Sequence, residues 1–530
     1  MAAIADATGA PKANPWIVAP TVGLAAFMEV LDISIANVAL QHIAGNLSAS
    51  QDESTWVLTS YLVTNAIVLP MSGWLASTIG RKRYFLGCIV GFSLTSLLCG
   101  LAPNLGMLIL ARGLQGATGG GLQPSAQAIL ADSFPPEKRG QAFAAYGIAV
   151  VFAPAIGPTL GGWITDNFSW RWVFLINVPV GILLSLLASR VLDDSPQQIA
   201  ERRARLAGGV NFDYVGFALL VIGMCALQVV LDKGQEDDWF ASNFITALSI
   251  TAAFGLTAFA FWEWRSADPI VDLRLLASRN FGIGNILMFM LGFVLLGSTV
   301  LLPLFVQVVL GYTATDAGLV ISPGGFAIML MMPVVGNLVG RVDLRALIAF
   351  GLLTGAASLF WMTRFDAAID YSTVAWARAY QSVGLAFLFI PINTVATLGL
   401  PPGKSNNASA IINMARNIGS SVGISVATTM LARRQQFHQS MLVEHVTPYN
   451  SAYDSTIAAL RQALRASSAG AGDVLQQAQA RLYQMVQQQA TVLSFVDGFW
   501  LMAWAFALLL PLVFLLRRPA AGARPPAGLH

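Results

Sequence analysis

The sequence predicts an all-α polytopic membrane protein, with fourteen spanning helices arranged as two six-helix bundles and two additional helices between them. Three observations carry this prediction. Of the 530 residues, 56% are hydrophobic and 11% charged, whereas soluble domains carry about 25% charged residues. Apolar runs long enough to cross a bilayer, which takes about 20 residues, recur along the whole chain. Pieces of the first half also return in the second at a constant offset.

The runs begin near residues 16, 55, 84, 105, 141, 171, 214, 243, 281, 313, 344, 374, 407 and 497. Alternate connections between them are basic: "RKR" (81–83), Lys138 and Arg139, Arg190 with Arg202, Arg203 and Arg205, then Arg265, Arg274, Arg279, Arg341, Arg345 and Lys404. The short connections in between, such as "QHIAGNLSASQDES" and "DNFS", hold almost no Lys or Arg. Basic loops stay in the cytoplasm, so both termini are expected there. The opening residues show no signal-peptide pattern, and the first run is expected to remain as an anchor.

Stretch 433–495 is the exception, a connection on the outer side that holds five arginines. Long loops escape the charge rule. Its run "LQQAQARLYQMVQQQATVLSF" reads as an amphipathic helix, either lying on the membrane or serving as a docking surface. The expected division is a tail at 1–15, a first bundle at 16–191, linkers and two extra spans at 192–280, a second bundle at 281–516, and a tail at 517–530.

The repeat has an offset of 266 residues. "ARGLQ" (111–115) recurs as "ARAYQ" (377–381), "PPEK" (135–138) as "PPGK" (401–404), and Gly157 corresponds to Gly423. Paired bundles around a midplane site are a transporter architecture.

Polar residues inside the runs are the candidate functional groups, because a charge near mid-bilayer costs several kcal/mol. Glu29 and Asp32 stand three apart in the first run, on one helical face. Burial raises a carboxylate's pKa and a neighbouring Arg lowers it, so Asp32 is a candidate proton carrier, with helix-to-helix hydrogen bonding as the plainer reading. Glu29 has the same choice and could also contact a polar or cationic ligand. Arg112 needs a partner, since a guanidinium stays charged; the acids of the first run are the natural ones, and Gln115 lies one turn further on. Arg416 suits either an anionic ligand or a structural pair. Arg378 lies near the outer end of its run, where a side chain can snorkel. Asn285 opens "NILMFMLGF" (285–293), which with "AIMLMMP" (327–333) could line an adaptable apolar cavity or simply face lipid.

Several classes are excluded. A net charge of +3 gives no footprint for nucleic acid. Three cysteines without a CxxC and four scattered histidines offer no metal site, disulfide framework or cofactor motif. "GLPPGKS" (399–405) fails as a phosphate loop because Leu398 stands where glycine is required. No HExxH or GxSxG is present, so no catalytic residues are expected.

Five stretches resemble the major facilitator superfamily, and within it the fourteen-span drug:proton antiporters of the EmrB/QacA type. They are "LDISIANVAL" (31–40), "GWLASTIGRKR" (73–83), "LILARGLQGATGGG" (108–121), "APAIGPTLGG" (153–162) and "WRWVFLINVPVG" (170–181). The likeness continues through "ADPIVDLRLLASRNF" (267–281) and "GYTATDAGL" (311–319) and is strongest to EmrB proteins. The resemblance implies a proton-coupled exporter of hydrophobic drugs in a bacterial inner membrane, partnered by a periplasmic membrane-fusion adaptor and an outer-membrane channel. A narrower exporter of fatty acids or metabolites and a nutrient symporter are the alternatives. It also implies a conformational role for Gly73, Gly80, Arg81 and Lys82, in a motif that usually has an acid where this chain has Ser77. In "APAIGPTLGG", Pro154 and Pro158 bend the helix, while Gly157, Gly161 and Gly162 allow close packing; a gate or a plain tight contact would both use them.

Overall fold

The structure, a computed structural model, describes residues 14–135, 138–194, 196–207, 212–266, 269–398, 404–447, 449–467 and 474–517. The expected tails fall almost wholly outside these residues. The first half consists of α1 (Pro15–Asn46), α2 (Gln51–Ile79), α3 (Arg81–Gly100), α4 (Leu105–Gly119), α5 (Leu122–Ser133), α6 (Arg139–Asn167), α7 (Arg171–Leu175) and α8 (Asn177–Val191). Next come α9 (Pro196–Ala207), α10 (Tyr214–Lys233) and α11 (Asn243–Arg265). The second half holds α12 (Arg279–Val308), α13 (Ala314–Leu338), α14 (Leu344–Met362), α15 (Tyr371–Thr397), α16 (Ser405–Val443), α17 (Ser451–Ser467), α18 (Val474–Ala507) and α19 (Leu510–Phe514). No β-strand forms among the described residues.

Local chemistry sets several of these boundaries. Asn14 accepts from the Trp16 N–H at 3.0 Å, and Pro15 follows at the first helical position. Ser50 and Glu53 close a capping box at the start of α2. Gly80 separates α2 from α3 with φ of 100°, a conformation that side chains with a Cβ rarely adopt.

Among the described residues, eleven helical segments, α7–α8 and α18–α19 counting as one each, are long and apolar enough to cross a membrane, and α6, bent by 48° between Arg139–Pro154 and Thr159–Asn167, makes up to twelve. The α4–α5 pair and α16 do not meet that measure, and with them the number is consistent with the expected fourteen. They are less apolar because their polar side chains turn inward: Arg112, Gln115, Gln123 and Gln127 on the first, Asn406, Asn413 and Arg416 on the second, are all buried. The outer faces carry exposed apolar side chains such as Leu94, Leu110, Leu183, Phe254 and Leu330. This is a multi-pass membrane protein.

Within the first half, α1 packs on α6, α5, α8 and α2, with α3 and α4 completing the bundle; in the second, α12 packs on α16 and α15, and α14 on α15 and α18. The α10–α11 hairpin rests α10 on both α2 and α16, where the halves adjoin. Lys233 of α10 donates to Thr55 at 2.7 Å and Ser421 donates to Gln228 at 3.2 Å, so this hairpin touches both halves.

One expectation is revised. The run at 475–495 is the first part of α18 and continues straight into the last span, so it does not lie along the surface as a separate helix. α16 likewise runs on to Val443, beside α18. Gln435 donates to Thr491 at 2.9 Å, His438 lies 2.7 Å from Asp497, and Arg434 also pairs with Asp497. These contacts hold the two helices together where the hydropathy pattern alone placed a loop. The short amphipathic α17 packs on α18.

Candidate functional site

Asp32 lies on α1 where α8 packs against it and side chains of α4 reach it, and its side chain is fully buried. Three side chains donate to it: Arg112 Nη1 at 2.5 Å, Gln115 Nε2 at 3.1 Å and Asn177 Nδ2 at 2.7 Å. Arg112, itself fully buried, donates through Nε to the Val57 carbonyl at 3.1 Å and through Nη1 to Gln115 Oε1 at 2.8 Å. Its guanidinium carbon lies 4.3 Å from the centroid of the Tyr61 ring. Asn177 also donates to Ser96, which donates to the Phe174 carbonyl at 2.8 Å. Charge pairing and hydrogen bonding thus offset the desolvation of both ions.

Glu29, one turn nearer the start of α1, has different surroundings. Asn65 of α2 donates to one carboxylate oxygen at 3.1 Å, and the other has no hydrogen-bond partner in the protein. The Gln123 side chain is within hydrogen-bonding reach of this carboxylate, and the Arg416 guanidinium is close enough to act on its charge. Arg416 of α16 donates to Gln123 of α5, and Asn413 donates to Gln127 at 2.8 Å, so this level joins the two halves. Phe389 stacks on Tyr146 at 6.3 Å, and the Arg416 guanidinium lies 5.9 Å from the same ring. Asn285 stands apart from this cluster, donating to the Phe281 carbonyl of its own helix at 2.8 Å.

Gly157 and Gly161 face α1. A Cβ on Gly157 would strike the Ser34 side chain, and one on Gly161 would come within 3.0 Å of Ile35 Cγ2 and 3.2 Å of its Cα. Gly162 has open space instead. Another part of α6 packs on α13, where Gln141 donates to Asn337 at 2.8 Å.

At the end where α2 meets α3, Arg81 pairs with Asp132 at 2.5 Å and Lys82 with Asp193 at 3.0 Å. The other Asp132 oxygen accepts from Ser405, the first residue of α16, at 2.8 Å. A Cβ on Gly73 would lie 2.8 Å from Asn407 Cα, so the halves meet closely here. Ser77 donates to the carbonyl of Trp74 in its own helix; the acid at the contact between halves is Asp132.

Sequence reasoning did not single out Asn177, Gln123, Gln127, Asn413 or Asp132. Gln123 and Gln127 are four apart on α5, a spacing that places them on one face, and this signal was available. Asp132 carried none, because its partners come from α3 and α16.

A membrane-embedded pair of helical bundles with an acid–arginine cluster in one and an interlocked amide layer between them defines a solute transporter rather than an enzyme. The family model for the Major Facilitator Superfamily matches residues 22–424. The chain is 38% identical over 510 residues to the multidrug export protein EmrB of Escherichia coli K12, covering 96% of each. It is also 38% identical over 499 residues to the fatty acid resistance protein FarB of Neisseria gonorrhoeae, covering 94% of this chain and 95% of that one. Among solved structures, the proton:xylose symporter XylE superposes with a TM-score of 0.57 at 13% identity, covering 92% of this chain and 94% of that one. The chain belongs to the Major Facilitator Superfamily, as a transporter of the EmrB type.

Proposed function

We propose that this protein exports hydrophobic, chemically varied compounds across a bacterial inner membrane in exchange for protons, its two halves rocking about the buried cluster. The observation that carries this reading is the Asp32–Arg112 pair, an acid and a guanidinium 2.5 Å apart with both side chains withdrawn from solvent inside spanning helices. A proton arriving on Asp32 cancels its charge and removes the ionic part of its bond to Arg112, while Arg112 keeps Val57, Gln115 and the Tyr61 ring. α1 is then held less tightly to α4 and α8. Glu29 rides on the same helix beside the Gln123–Arg416 link, so a charge change on α1 reaches the contact between halves.

The driving force is adequate. One charge crossing 100 mV supplies about 2.3 kcal/mol, and one pH unit adds about 1.4 kcal/mol. The alternation of basic connections supports a cytoplasmic location for both termini by the positive-inside rule. The cargo reading is supported by the likeness to EmrB, and a partnership with a periplasmic adaptor and outer-membrane channel goes with it; the far ends of α16 and α18, with α17, are the surface offered to such a partner. A narrower range of amphipathic acids is the second reading, favoured by the likeness to FarB and by Arg416 at the interface.

The test uses purified protein in liposomes with an imposed pH gradient and a pH dye inside. Candidate drugs should collapse the gradient with wild type and fail to do so with Asp32→Asn. Equal collapse by both proteins would remove Asp32 from the mechanism. No response to any drug, with a response to medium-chain fatty acids, would select the second reading.

A further inference from the structure

The repeat that relates the halves also relates their buried arginines, and the two environments differ by one charge. Shifted by the 266-residue offset, Arg112 falls on Arg378, Gln115 on Gln381 and Asp32 on Ser298. The geometry recurs with them. Arg378 Nη1 donates to Gln381 Oε1 at 2.7 Å, as Arg112 does to Gln115 at 2.8 Å. It also donates to Ser298 Oγ at 3.2 Å, where Arg112 meets the Asp32 carboxylate at 2.5 Å. Nη2 donates to Thr299 Oγ1 at 2.9 Å. Every one of these acceptors is neutral.

Arg378 does not snorkel to the surface; it is 5% exposed. Among the described residues it forms no ion pair. A guanidinium cannot shed its proton to escape burial, and an uncompensated buried charge is strongly unfavourable. The unmet hydrogen-bonding capacity beside it is of one kind. Arg378 Nε, Gln381 Nε2 and Ser382 Oγ are all buried without a partner, and all three can donate. Gln381 and Ser382 are fully buried. Gly324 covers them: a Cβ there would come 2.6 Å from Ser382 Oγ and 3.2 Å from Arg378 Nε. Buried donors without acceptors, gathered around a lone cation, have the chemistry of an anion site.

We propose that Arg378, Gln381, Ser382 and Ser298 form a buried site in the second half for one compact, singly charged anion, either a carboxylate head group or a halide. The first half supplies its counter-charge from the chain, as Asp32. The second takes it from solution, so its charge balance changes by binding and release rather than by protonation. Assigning the carboxylate to cargo rests on the export reading above; occupancy by an anion does not.

The experiment measures thermal unfolding of the full chain in nanodiscs. The protein is exhaustively exchanged into sodium isethionate, and sodium chloride or sodium butyrate is titrated at constant ionic strength. Wild type should show a saturable rise in Tm of several degrees. Ser298→Asp, which restores the carboxylate of the other half, should start at or above the wild-type Tm and lose the response. Arg378→Gln should also lose it, and if that variant does not fold, Ser298→Asp still decides the matter. A stronger response to butyrate than to chloride assigns the site to a carboxylate, and the reverse order to a halide. A flat wild-type Tm with both salts, or an unchanged response in Ser298→Asp, overturns the proposal. An intact anion response beside a failed drug-transport assay would overturn the export reading alone.

Discussion

At Asp32, donors from α4 and α8 converge on one buried carboxylate. Removing a single partner therefore costs more than removing both charges. Arg112→Gln leaves the buried Asp32 carboxyl without its cation and should destabilise the protein by about 3–5 kcal/mol, the usual range for a broken buried pair. The double variant Asp32→Asn with Arg112→Gln should recover much of that loss, read as Tm by a double-mutant cycle. If the double variant is as unstable as Arg112→Gln, the pair does not behave as a unit. Glu29 should respond differently. The hydrogen bond from Asn65 survives in Glu29→Gln through the amide oxygen, so stability should change by about 1 kcal/mol or less, within the range of a hydrogen bond between neutral groups. Any loss of drug-driven proton flux in that variant then reports on titration rather than on folding.

The helix α6 shows how one element serves two neighbours. Its glycines at 157 and 161 lie on α1, which holds Asp32, and another part of it meets α13 of the second half. Gly157→Val should overpack the α1 contact and cost about 1–3 kcal/mol, seen as a lower Tm, whereas Gly162→Ala points into open space and should leave Tm unchanged. A neutral Gly157→Val would mean that α1 and α6 can separate freely, and the close seam would lose its meaning. The connection between α2 and α3 is a second such element. Asp132 receives Arg81 from its own half and Ser405 from the other. Asp132→Asn should loosen this contact and raise the labelling rate of a cysteine placed at Asn407. An unaltered rate would leave Asp132 as a support of the first half only.

For the molecule as a whole, the halves are joined at the end that carries the basic connections and again at the amide layer of Gln123, Gln127, Asn413 and Arg416. A transporter that rocks must break the first of these contacts in each cycle. Gln141 and Asn337 face one another across it at 2.8 Å, so cysteines at both positions should cross-link under oxidation. Cross-linked protein should lose transport and regain it on reduction. Full transport by the cross-linked form would show that the halves work without separating there. The α10–α11 hairpin bonds to α2 on one side and α16 on the other, so its two extra spans sit across the line along which the halves part.

The sequence by itself determined the class of protein and its all-helical, multi-pass character, because apolar length, basic alternation and a fixed repeat are local or periodic properties. It also singled out Glu29, Asp32, Arg112 and Gln115, since a polar side chain in an apolar run is conspicuous wherever its partner lies. Tertiary structure alone decided the partners. Asn177 reaches Asp32 from 145 residues away, and Arg416 reaches Gln123 from 293; no local pattern encodes such distances. Tertiary structure also decided that the run at 475–495 extends the final helix, because α16 runs beside it, and that Arg378 is buried, because α12 and α13 close over it. Hydropathy reports what a segment can exchange for water. Only packing reports which charge, amide or void it meets in exchange.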